Sequence, residues 1–209
     1  MKERGIIFNA EMVRAILEGR KTQTRRAVAN VRPDNCLTLR KPTKTKSGTY
    51  THVLDATKHD LCPFGKVGDR LWVREAHAFV PEPAYRRSTG IIQTINPDDD
   101  YQACIFRENF DRAEGGISWR PSIHMPRWAS RILLEITDVR VELLQSISFD
   151  DCRKEGCSGG HDSIPGYMYS ATPKEHYSHL WESIYGEESW RSNPWVWVIE
   201  FKRVEGGAA

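Results

Sequence analysis

The chain has 209 residues, 30 Lys and Arg against 28 Asp and Glu, and 39% hydrophobic residues, the balance of a globular protein able to bury a core. No run approaches the ~18 consecutive apolar residues of a membrane span, and the apolar stretch Ile6–Phe8 after Met1-Lys2-Glu3-Arg4 is too short for a secretory signal, so a cytoplasmic protein with no membrane partner is expected. Five cysteines at irregular spacing, in a chain long enough to fold without staples, argue against a disulfide framework.

In chain order, Asn9 caps a predicted helix whose Met12, Val13, Ile16 and Leu17 share one face and which Gly19 ends. Lys21 to Val28 reads as an extended segment. Residues 30–66 are polar and rich in Pro, Lys and Thr, the pattern of a long insertion. After the turn Gly68-Asp69, the run Arg70 to Glu75 alternates like a half-buried strand. Residues 81–118 again read as loop, an insertion or a hairpin. Arg131 to Leu144 holds two β-type runs that suggest one long, bent strand. Ser148 with Asp151 heads a short helix ended by Gly156, and Thr172-Pro-Lys-Glu175 is a clearer capping box with Pro at the first helical position. The chain closes on Trp195 to Phe201, apolar on both faces and therefore an interior strand, followed by a frayed tail at 205–209. The elements argue for an α+β fold with a mostly antiparallel sheet whose apolar strands favour closure into a barrel with flanking helices; the length allows one elaborated domain or two small ones, and the reading adopted is a single domain over 1–204 with insertions at about 30–66 and 81–118. No GxGxxG and no Walker loop is present, which disfavours a doubly wound nucleotide fold.

Charge is uneven: residues 1–50 carry 12 Lys and Arg against 4 Asp and Glu, leaving 18 and 24 for the rest, and Arg20 to Lys46 holds nine basic residues and one acid, Asp34. Such a field attracts phosphates, although a solvated basic loop looks the same. Within it, Gly19-Arg-Lys-Thr-Gln-Thr-Arg-Arg26 crowds Lys21 against Arg25 and Arg26, with Thr22 and Thr24 close by. Neighbouring cations and partial burial both disfavour the charged lysine, so Lys21 could serve as a neutral base beside the Thr24 hydroxyl, with an arginine to hold an oxyanion or phosphate. An exposed basic turn is the plainer alternative. Trp119 and Trp128 lie outside any periodic run and are interleaved with Arg120, His124 and Arg127, an arrangement that can stack an unpaired base or pack as a loop over the core. Cys152, Cys157 and His161 fall near one another but form no CxxC pair. No metal and no other cofactor is expected.

These motifs resemble a known family. Gly19-x-Lys21-Thr22-x-Thr24-x-Arg26, then Gly68-Asp69-x-Leu71-x-Val73-x-Glu75, the helix from Ser148 to Gly156 and the strand ending Val198 to Phe201 together look like the ASCH domain of the PUA-like superfamily, in the larger, tryptophan-rich form carried by phages and prophages. The resemblance implies a small β-barrel with a cleft for RNA or a modified nucleobase. The acetylcytidine amidohydrolases of that superfamily use a lysine and a threonine of the KTxT motif, a glutamate on the helix after the long strand and an arginine. Lys21, Thr24, Glu155 and Arg26 match those positions. By the resemblance, then, Lys21, Thr24 and Glu155 are candidate catalytic residues. Arg26, Arg25, Thr22, Glu75, Trp119 and Arg127 are candidates for binding substrate or nucleic acid. The two insertions depart from the family pattern, and Arg25 beside Arg26 leaves the matching arginine open. An amidohydrolase, a non-catalytic reader of RNA or of a modified base, and a phage regulatory module that binds another protein all remain compatible with the sequence. The substrate and the oligomeric state are not encoded in any motif.

Overall fold

A computed structural model describes residues 1–39, 48–110 and 116–204. The tail at 205–209 and the basic residues Arg40, Lys41, Lys44 and Lys46 lie outside the described residues. The chain divides into two compact units, one built from Met1–Glu18, Asp69–Glu135 and the strand end from Lys202, the other from Gly19–Gly68 and Ile136–Phe201.

In the first unit, strand β1 (Glu3–Ile7) leads through Asn9, whose side chain accepts from the Met12 N–H, into helix α1 (Ala10–Leu17). The helix buries Met12, Val13, Ala15 and Ile16, the face marked by the apolar spacing. Gly19 follows at φ +75°, a left-handed position that glycine adopts without strain.

Strand β1 runs parallel to β5 (Arg70–Arg74), and β5 pairs antiparallel with the start of β9 (Leu133–Leu143). Between β5 and β9 lies a second sheet of β6 (His77–Pro81), β7 (Gln93–Asn96) and β8 (Asp99–Phe106), ordered β6-β8-β7. The segment read as loop from 81 to 118 thus contains a hairpin, and both sides of its sheet are covered. Cys104 and Phe106 pack with Met125, Ala129 and Trp128 on one face, while Ala78 and Ile105 pack with Ile91, Phe110 and Trp119 on the other. Of the two readings of this segment the hairpin is the one present, although Pro81, Pro83 and Pro97 punctuate strands whose apolar residues alternate only locally. Burying a side chain such as Phe106 or Ile105 is worth about 1.5–3 kcal/mol, so this sheet adds a core of its own.

In the second unit, β2 (Gln23–Ala27) pairs antiparallel with β10 (Trp195–Arg203), and β10 also neighbours β9. The last strand is interior, as its two apolar faces required. β3 (Cys36–Thr38) and β4 (Tyr50–His52) form a hairpin within the 30–66 insertion, followed by a 3-10 helix over Val53–His59. Helix α2 (Phe149–Lys154) starts at Ser148 and α3 (Pro173–Tyr185) at Thr172, whose hydroxyl accepts from the Glu175 N–H while Glu175 accepts from the Thr172 N–H. The two helices pack on each other.

The architecture is α+β with mixed parallel and antiparallel pairing. The runs β1-β5-β9 and β9-β10-β2 do not close on themselves, so the barrel expected from the apolar strands is absent among the described residues. No helix among the described residues is long and apolar enough to cross a membrane.

Candidate functional site

The pleat of β2 sorts its side chains. Gln23 and Arg25 fall on one face and Thr24 and Arg26 on the other, since successive strand residues alternate. Opposite them on β10 stand Glu200 and Val198 for the first pair, and Ile199 and Trp197 for the second. The first face sets Gln23 and Arg25 beside Glu200, the second sets Thr24 and Arg26 against Ile199 and Trp197, and the chemistry of the KTxT segment divides between them.

On the ionic face, helix α2 ends at Glu155, with Gly156 at φ +99°. A helix end leaves carbonyl groups without partners in the helix and carries partial negative charge. Lys21 answers both: its Nζ donates to the Glu155 backbone carbonyl at 2.8 Å and to Glu155 Oε2 at 2.6 Å. The Thr22 N–H donates to the Lys154 carbonyl at 2.8 Å, fixing the register of the segment against the helix. Arg25 completes the cluster. Its Nη1 donates to Gln23 Oε1 at 2.9 Å and to Glu155 Oε1 at 3.4 Å, and its Nη2 donates to Glu142 at 3.2 Å and Asp151 at 3.3 Å. Both cationic side chains are 0% exposed and Glu155 is 2% exposed.

Two cations sealed from water require such company, because a buried charge is tolerated only when paired and hydrogen-bonded. Burial holds the Lys21 amine below the ordinary lysine range, against the opposing pull of the Glu155 charge and hydrogen bond. Asp151, which burial alone would raise, is held low by Arg25, by the Ser148 hydroxyl and by Arg140. The Tyr177 phenol is pushed well up, by burial first and by the Glu155 charge second. A lysine held by a carboxylate and lowered by burial is equipped to pass a proton.

Lys21 and Glu155, 134 positions apart in sequence, are therefore in direct contact, and Arg25 rather than Arg26 reaches the carboxylate. Thr24 is buried on the face away from Arg25, and Arg26 is half-buried on that same far face. Thr22 is exposed.

The remaining candidates sit in the first unit. Glu75 is buried and takes a two-pronged bond from Arg131, Nε to Oε1 at 2.9 Å and Nη2 to Oε2 at 2.7 Å. Trp119 packs edge-on to Phe110 at 5.4 Å beside the Ala78 and Ile105 cluster, and Arg127 donates to Glu3 at 2.8 Å. Among the described residues no group of His, Cys, Asp or Glu is placed to hold a metal ion.

Sequence reasoning missed Gln23, Glu142, Asp151 and Arg140. Arg140 donates to Glu142, Asp138 and Glu200 and so neutralises the carboxylates around Arg25. One signal was available: the parity that sets Gln23 and Arg25 on one side of a strand, with Thr24 and Arg26 on the other. Comparison with family profiles, with curated proteins and with solved structures finds no match for this chain.

Proposed function

We propose that the chain is an ASCH-like protein of the PUA-like superfamily that takes a modified nucleoside, free or within RNA, and hydrolyses an amide on it, with Lys21 as the proton carrier. The observation that supports this is the Lys21–Glu155 contact at 2.6 Å, with the amine lowered by burial. In the step, water adds to the acyl carbon while one of its protons passes to Lys21 Nζ. The C–N bond then breaks and that proton goes to the leaving nitrogen. The products are a carboxylic acid and the free amine of the base. Glu155 holds the lysine between the two transfers. Water is written as the nucleophile because Thr24 points away from the face on which Arg25 and Lys21 meet Glu155.

One observation favours a second reading, a reader without turnover: the Lys21 side chain is fully covered, as a charge that only braces a binding cleft would be. The two part under one experiment. The full chain is incubated with N4-acetylcytidine and the products are followed by mass spectrometry, for wild type, Lys21→Arg and Lys21→Ala. Hydrolysis by wild type, lost in both variants, supports the base role, since arginine keeps its charge but cannot give up a proton in this range. Hydrolysis retained in Lys21→Arg overturns it. Saturable nucleoside binding without product identifies the reader, whose affinity for single-stranded RNA should fall as salt rises if phosphates contribute.

A further inference from the structure

Helix α2 ends in a closed turn that sets two cysteines against each other. The chain reverses at Gly156, φ +99°, a left-handed position that glycine adopts without strain. The Gly156 N–H donates back to the Arg153 carbonyl and the Cys157 N–H to the Cys152 carbonyl, both at 2.9 Å. This pair of bonds is the Schellman arrangement, in which the two residues joined by the outer bond bring their side chains together over the last helical turn. Here both of those residues are cysteines. Standard bond lengths cap the separation of their Cα atoms at about 6.8 Å, within the roughly 4.4–6.8 Å that disulfides span.

Cys152 is 0% and Cys157 1% exposed, and neither is in a disulfide in this structure. Buried thiols in contact also serve as small apolar groups. What distinguishes this pair is the shortness of the ring it can close. The residues between the two cysteines run only from Arg153 to Gly156, so a thiol of the pair that has been attacked from outside is resolved by its neighbour at high effective concentration, ahead of a second external thiol. Glu155, which accepts from Lys21 at 2.6 Å, lies inside that ring.

We infer that Cys152 and Cys157 form a dithiol site that closes into a disulfide on exchange with a small-molecule disulfide of the glutathione type. One thiolate attacks a sulfur of glutathione disulfide and forms a mixed disulfide, releasing one glutathione. The second thiolate attacks the protein sulfur of that bond and releases the other. Two cysteine thiols lose two electrons and two protons, and one glutathione disulfide becomes two glutathione molecules. The closed bridge pins the end of α2 on which Glu155 sits. A protein that binds without turnover would carry the same bridge, so the inference stands apart from the hydrolase reading.

The test treats the full chain carrying Cys36→Ser, which removes the half-exposed thiol, with glutathione disulfide, blocks remaining thiols with iodoacetamide and digests the product with trypsin for mass spectrometry. Cleavage after Arg140, Arg153, Lys154 and Lys174 means that the bridge joins peptide 141–153 to peptide 155–174. That linked pair is expected as the main product, forming over minutes to hours because exchange at buried thiols waits on local opening. The oxidised chain is expected to unfold at a urea midpoint about 1 M above that of the same chain reduced, as closing so short a ring predicts. Two redox states of one chain are compared, so no substitution in the pair is needed. Glutathione retained on either cysteine, a bridge from either to Cys62 or Cys104, both thiols still open to iodoacetamide after prolonged treatment, or an oxidised midpoint at or below the reduced one overturns the inference.

Discussion

Replacing Glu155 by Gln removes a carboxylate that both sealed cations share. In the native cluster Glu155 accepts from Lys21 at 2.6 Å and from Arg25 at 3.4 Å. After the substitution Lys21 keeps the backbone carbonyl of residue 155, and Arg25 keeps Glu142 and Asp151. Removing one partner of a buried pair costs about 3–5 kcal/mol, because the remaining charge stays buried. Lys21→Met is milder, about 1.5–3 kcal/mol, the worth of a charged hydrogen bond, since Glu155 still has Arg25. In the double variant no excess charge is left at that position, so the losses should fall short of additivity by roughly 1–3 kcal/mol. Urea unfolding followed by tryptophan fluorescence measures all three variants. With a slope of about 2 kcal/mol per molar, Glu155→Gln moves the midpoint down by about 1.5–2.5 M. Losses that add within about 0.5 kcal/mol, or a Glu155→Gln cost below about 1 kcal/mol, would refute the coupling between these side chains.

Other consequences are separable. A Cβ on Gly5 would lie 2.9 Å from the Trp72 ring and 2.8 Å from Arg74 Nε, so Gly5→Ala should cost about 1–3 kcal/mol in urea unfolding as an overpacked site. Burial holds the His77 imidazole below its ordinary range despite its bond to the Glu75 carbonyl, with the charges of Arg120 and His124 adding to the lowering. The unfolded chain takes up that proton near pH 6.5 while the native one resists, so stability present above that pH is lost as pH falls. His77→Leu should flatten the loss between about pH 7.5 and 5.5. Burial pushes the Cys104 thiol up to about 12 and the Cys152 thiol up to about 11, whereas Cys36 is half-exposed. Native labelling with a maleimide should therefore modify one thiol quickly, and Cys36→Ser should abolish that phase.

Local chemistry made several elements legible in the sequence alone. The Asn9 cap and the Gly19 stop bracket α1, the Thr172 capping box starts α3, and the alternation after Asp69 marks β5, because caps, stops and periodicity act within a few residues. The double-faced strand Trp195 to Phe201 also announced its interior place. Strand β1 went unrecognised because its pattern is short and mostly exposed, and its pairing with β5 is a long-range event. The closure of a barrel was equally beyond local reading: apolar strands require cover, but their composition does not say whether strands, helices or a second sheet provide it. At the candidate site, the types Lys21, Arg25 and Glu155 were visible, yet only the tertiary structure decided which arginine meets the glutamate. That choice rests on the pleat of β2 and on where α2 ends, since a one-residue shift along a strand turns a side chain to the opposite face. The companions Glu142, Asp151 and Arg140 come from β9 and α2, distant in sequence, and are drawn together by the need to neutralise cations that the fold has buried.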